Sequence, residues 1–263
     1  MWTCSLLKQN AKRALSCTYW RAFALCLLLT IVGVGSYSTN AVFQFEDGLN
    51  RIDTTLHGEV WTGNATQQTI TFDLVQSVPL LVWLILLAAI LIGLALGSAW
   101  YAFITAPLTV GRNRYFMENR QSPAPLGTVT TVFRTPYLNV VKVSFLVCLK
   151  IALGYLLLII PGIYWSYCYM MVPYLLAENP YMSTRRAMEL SRQMMYGEKW
   201  HAFVLGLSFL GWALLGVLTL GIGLLFLEPY YQATMAELYA ALRSKALAMN
   251  MTDTGELGGF VRH

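Results

Sequence analysis

Between residues 139 and 177 the chain is apolar almost without interruption, and the pair Pro161-Gly162 falls near the middle of that run. As a single helix the run would be about 58 Å long at ~1.5 Å per residue. A bilayer's hydrocarbon core is only about 30 Å thick, so something must divide the run. Proline removes a helical donor and glycine weakens a helix. Pro161-Gly162 is therefore the expected turn of a hairpin, with one span over 139–160 and its return over 163–177.

The same device recurs 59 residues later, where Gly221-Ile222 matches Gly162-Ile163 and Ala236-Glu237 matches Ala177-Glu178. This predicts a second hairpin with spans 201–219 and 222–241. Two further apolar segments, 22–38 and 78–106, make a third. Hydrophobic residues form 57% of the chain and charged residues 12%, with a mean hydropathy of +0.54, which is the composition of an integral membrane protein rather than a soluble domain. The expected fold is an all-α polytopic membrane helix bundle: six transmembrane helices in three hairpins, with short cytoplasmic interfacial helices.

Charge placement gives the orientation. Of 18 Lys and Arg, all but Arg51 and Lys150 fall in 1–21, 107–138 with Lys142, 179–200 and the tail 242–263, which the six-span arrangement puts on one side. The positive-inside rule makes that side the cytoplasm, with both termini in it. The net charge of +5 is thus a membrane-orientation signal, and no nucleic-acid partner is expected. The loop 39–76 on the other side carries five acidic residues against Arg51. Its stretch 57–74 alternates Ile70, Phe72 and Leu74 with polar residues around Gly63-Asn64, the pattern of a short β-hairpin, and Asn64-Ala65-Thr66 matches a glycosylation sequon. None of the five cysteines lies in that loop, so no disulfide framework is implied.

The stretch "AFALCLLLTIVGVG" also resembles the apolar part of a secretory leader, but 21 residues precede it. "LLKQNAKRALSCTYW" reads better as an amphipathic helix on the inner surface, with Leu7, Ala11, Ala14 and Leu15 on one stripe. Residues 179–200 read as a second surface helix. Asn179-Pro180 opens it, Ser183 caps it and Gly197 ends it, with Ala187, Leu190 and Met194 on one face and Arg185, Arg186 and Arg192 on the other. That basic face is expected to rest on anionic lipid headgroups or to dock a protein partner. Ala89, Gly93 and Gly97 recur every four residues, so another helix can approach closely, within the chain or in a homodimer.

"IIPGI", "PYLLAENP", "RRAMELSRQMMYGEKW", "LSFLGWALLGVLTLGIG" and "EPYYQATMAELY", with "APLTVGRNRYF" at 106–116, resemble the bacterial "domain of unknown function 975" family of six-span membrane proteins. The resemblance covers most of the chain outside the loop 39–76 and the last twenty or so residues. It implies an all-helical fold and the inner membrane of a bacterium, of a Gram-positive lineage, and it carries no activity. A weaker similarity, in hydropathy and Pro/Gly placement, links it to the membrane domain of some bacterial glycerophosphodiester phosphodiesterases and so to lipid handling.

No catalytic or metal-ligating constellation is present: His57, His201 and His263 are scattered, and the aspartates lie in the loop 39–76 and the tail. No cofactor, metal or enzymatic activity is expected. Two ionisable residues lie inside predicted spans, where each is costly unless paired. Lys150 lies about 16 Å below one turn and Glu228 about 10 Å below the other, so the two are expected to pair, with Pro229 loosening the helix beside Glu228. Tyr164, Trp165, Tyr167, Tyr169, Tyr230 and Tyr231 lie near these charges as belt residues or as the lining of a polar cavity. Three functions stay open: a non-enzymatic protein that binds, moves or protects against a lipid or amphipathic peptide; a module that recruits a cytoplasmic or ATP-binding partner; and an intramembrane enzyme using Glu228.

Overall fold

A computed structural model describes residues 2–33, 80–134, 136–219 and 221–258. All regular structure in them is helical. In order these are α1 (Cys4–Leu15), α2 (Tyr19–Ile31), α3 (Leu80–Trp100), a π-helical turn (Tyr101–Thr105), α4 (Ala106–Asn119), a 3-10 helix (Leu126–Phe133), α5 (Tyr137–Leu157), α6 (Ile159–Cys168), α7 (Val172–Glu178), α8 (Thr184–Met194), α9 (Lys199–Leu218) and α10 (Ile222–Ala248). The expected β-hairpin at 57–74 and the sequon lie outside the described residues.

The chain divides into two compact units, Met1–Ser36 with Ala102–His263, and Tyr37–Tyr101. In the second, α3 is a single apolar helix with exposed side chains such as Ile90, Ile92 and Leu96. A Cβ built at Gly93 or Gly97 meets nothing within 4 Å among the described residues. Among the described residues three helices are long and apolar enough to cross a membrane: Val82–Asn119, Tyr137–Leu157 and Lys199–Leu218. Of the predicted span 22–38, residues 34–38 lie outside the described residues, and Tyr19–Thr30 is a shorter apolar helix. The predicted return span 163–177 is divided between α6 and α7. Helix α10 is long, but it carries Glu228, Glu237, Arg243 and Lys245.

The hairpin of α5 and α6 corrects the expected turn at Pro161-Gly162. The chain breaks at Leu158, whose extended backbone (φ −163°, ψ 151°) caps both helices, and α6 starts again at Ile159. Pro161 therefore sits in the first turn of α6, where a backbone N–H has no helical partner to lose. Gly162 acts through its lack of a side chain. A Cβ there would lie 2.5 Å from the Tyr155 ring, and one at Gly154 would lie 2.6 Å from Trp165. Gly221, by contrast, does occupy a turn conformation, with φ 82° just before Ile222 begins α10.

The core of the larger unit is built around α4 and α10. Residues 107–138, expected as a cytoplasmic loop, instead hold α4 and the 3-10 helix. Val110, Tyr115, Phe116 and Met117 of α4 are buried, as are Val129 and Val132 of the 3-10 helix. Helix α10 packs against α1, α2, α4, α8 and α9. The stripe of α1 is used in a way the sequence did not indicate: Leu7, Ala11 and Leu15 are buried in the protein core, where α1 packs against α10, instead of facing lipid. Helix α8 is shorter than the predicted 179–200. Ser183 accepts a capping bond from the Arg186 N–H at 3.4 Å, and Gly197 (φ 78°) turns the chain after the helix. Ala187, Leu190 and Met194 form its buried face.

Candidate functional site

Charged side chains inside this core are neutralised pairwise along α10, as burial requires. Arg112 of α4 places Nη1 3.5 Å from Glu228 Oε1, and Gln232 Nε2 donates to the same oxygen at 2.8 Å. Two turns further on, at the C-cap of α4, Arg120 grips Glu237 with two bonds, Nε to Oε1 at 2.6 Å and Nη2 to Oε2 at 3.2 Å. At the end of α7, Glu178 accepts from Arg243 Nε at 2.9 and 3.1 Å and from the Tyr239 hydroxyl at 2.6 Å. Glu178 and Glu237, at matched positions of the two hairpins, thus each meet an arginine, though Glu237 takes Arg120 rather than the nearer Arg243 or Lys245.

Lys150 and Glu228 do not form the expected pair. Glu228 is held by Arg112 and Gln232, while the Lys150 ammonium lies 5.2 Å from the Tyr169 ring centroid and is exposed. Helical rise placed the two residues at comparable depths but could not say which way each side chain faces. The tyrosines also separate. Tyr164 and Tyr167 of α6 meet the start of α9, with Lys199 3.9 Å from the Tyr164 centroid and Phe203 6.3 Å from that of Tyr167. Tyr230 and Tyr231 flank Phe209 at 5.4 and 5.3 Å. These are two packing clusters, not one cavity wall.

Two clefts among the described residues bear on function. The larger of the pair, about 330 Å³, lies between α1, α4 and α10, with Trp2, Leu6 and Met117 beside Arg120, Glu237 and Arg243. The smaller, about 240 Å³, lies between α5 and α8 and is lined by Lys150, Tyr169, Arg185, Met188, Glu189 and Arg192. Arg186, predicted with Arg185 and Arg192 on one basic face, turns away to the C-terminal segment. Among the described residues no three His, Cys, Asp or Glu side chains are grouped to hold a metal.

Arg186 holds Glu256 through two 2.7 Å bonds, and Thr252 Oγ1 donates to the same carboxylate at 2.7 Å. Leu257 is fully buried beside them. The bond from Arg186 pulls the Glu256 carboxyl below its ordinary range, with a smaller contribution from Thr252 and with burial opposing. A carboxyl depressed in the folded state stabilises the docked segment above its unfolded value, ~4.3, and that contribution is lost as pH falls through the folded value. Hydrogen exchange corrected for intrinsic rates is expected to show residues 251–257 protected at neutral pH and released in acid, as the pH falls through the lowered Glu256 value. Glu256→Gln releases them at neutral pH as well.

Sequence reasoning counted Arg112 and Arg120 only as cytoplasmic charge. Signals for α4 existed: Pro107 in a first turn, and Arg114 four residues before Glu118, a pair that closes at 3.1 Å. A family model described as "Protein of unknown function (DUF975)" matches residues 59–246. The match begins inside the loop 39–76 and leaves α1, α2 and the C-terminal segment outside it. No curated protein and no solved structure matches the chain.

Proposed function

Starting from the fact that the chain belongs to the DUF975 family, we propose that it is a non-enzymatic, multi-pass protein of the bacterial cell membrane that binds an amphiphile, with both termini in the cytoplasm. The 330 Å³ cleft between α1, α4 and α10 carries this reading. Its lining mixes apolar Trp2, Leu6 and Met117 with charged Arg120, Glu237 and Arg243. Its volume falls in the range of small-ligand sites, and a mixed lining suits a molecule with a polar head and an apolar chain. The placement of Lys and Arg supports the orientation. Glu228, the residue an enzymatic reading would use, is engaged with Arg112 and Gln232.

Trp2 reports on the cleft. Titrating the full chain in nanodiscs with a lysophospholipid is expected to give a saturable change in tryptophan emission. The change should vanish in Trp2→Phe and in Ala241→Phe, which fills the cleft. A response that does not saturate, or that survives Ala241→Phe, overturns the assignment. Saturation by an amphipathic peptide alone replaces the lipid with a peptide ligand, and saturation only by a soluble protein supports the recruiting module.

A further inference from the structure

The smaller cleft carries a charge excess that the core does not. Arg112, Arg114, Arg120, Arg186 and Arg243 each hold a carboxylate within 3.5 Å. Lys150, Arg185 and Arg192 converge on a cleft whose lining includes one carboxylate, Glu189, and none of the three forms an ion pair among the described residues. Glu189 instead accepts a bond from Gln193 at 3.5 Å. Lys150 projects from α5 into the cleft, and its contact with Tyr169 is made to the ring, which leaves the other side of the ammonium open to the cleft.

The surroundings place the cleft at a polar–apolar boundary. Helix α8 buries its apolar face in the protein, and Tyr181, Tyr196 and Trp200 stand exposed just beyond its two ends (76%, 79% and 70%), as aromatic residues do at headgroup level. On α5 the exposed surface is apolar on both sides of Lys150, with Phe145 and Leu149 before it and Leu153 and Leu157, exposed at 53% and 73%, after it. Lys150, Leu153 and Leu157 follow i, i+3, i+7 and share one helix face. Three cations therefore stand beside an apolar track.

We propose that this cleft binds the phosphate of one anionic phospholipid, with Lys150, Arg185 and Arg192 around the headgroup and an acyl chain along Leu153 and Leu157. Arginines suit phosphate oxygens because the planar fork can donate two bonds, and the ammonium adds a point charge. The site is separate from the cleft of α1, α4 and α10 and does not depend on what that cleft binds. It also differs from the diffuse attraction of a basic surface, which gives each cation about a fivefold effect with no fixed stoichiometry.

The test uses the full-length chain in mild detergent, titrated with phosphatidylglycerol or phosphatidylcholine and observed by native mass spectrometry. One Lys150-dependent phosphatidylglycerol is expected to be retained, whatever the larger cleft holds, with phosphatidylcholine at least tenfold weaker. Lys150→Gln should weaken retention by fivefold or more, Lys150→Arg should restore it, and Lys142→Gln, at an exposed lysine elsewhere on α5, should leave it unchanged. Ala241→Phe should also leave it unchanged, so that this site and the larger cleft can fail independently. Equal losses in Lys150→Gln and Lys142→Gln overturn the proposal in favour of diffuse attraction. Displacement of the lipid by equimolar inorganic phosphate overturns it in favour of a free-anion site.

Discussion

Replacing Arg112 with methionine is expected to lower the unfolding free energy by about 3–5 kcal/mol, because it strands Glu228 as a buried, unpaired charge. The side chains of Arg112 and Glu228 are only 7% and 5% exposed, so water cannot take the missing partner's place. The double variant Arg112→Met, Glu228→Met should recover most of the loss, since a buried pair and an apolar replacement of similar volume are often close in energy. Arg120→Met should cost less: Arg120 is 28% exposed, and solvent already shares the neutralisation of Glu237. Denaturant unfolding in micelles checks all three. A double variant as unstable as the single one would show that the loss comes from packing and not from the stranded charge.

The α5–α6 hairpin gives the second large effect. Gly162→Ala is expected to destabilise by about 1–3 kcal/mol, because the new methyl collides with the Tyr155 ring at 2.5 Å and approaches that residue's Cα at 2.9 Å. Pro161→Ala should cost no more than about 1 kcal/mol, the entropy that proline removes from the unfolded chain, since the first turn of a helix accepts either residue. The same unfolding assay ranks the two. The opposite order would mean that Pro161 itself makes the turn.

Apolar run lengths located helices well where a helix is apolar on every face. The predicted 139–160 corresponds to Tyr137–Leu157, 201–219 to Lys199–Leu218, and the start of 222–241 to Ile222. Local capping chemistry was also legible, because Ser183 and Gly197 act on their own backbone. What failed were inferences about which elements touch. Residues 107–138 looked like a loop because Arg112, Arg114, Glu118 and Arg120 are charged, and nothing local reveals that partners 116 and 117 residues away make such a segment a core helix. Lys150 and Glu228 were matched by depth alone, when helix rotation decides whom a side chain meets. The stripe of α1 was visible as amphipathic, but periodicity does not say whether lipid or protein covers it.

The position of α10 in the chain has a consequence for biogenesis. Arg112 and Arg120 are made long before Glu228 and Glu237, and Glu178 long before Arg243. Until α10 is made, Glu178 lacks Arg243 and Tyr239, and Arg120 lacks Glu237. These contacts of the core therefore close only after α10 has been translated, so the order of synthesis makes α10 the element that completes it.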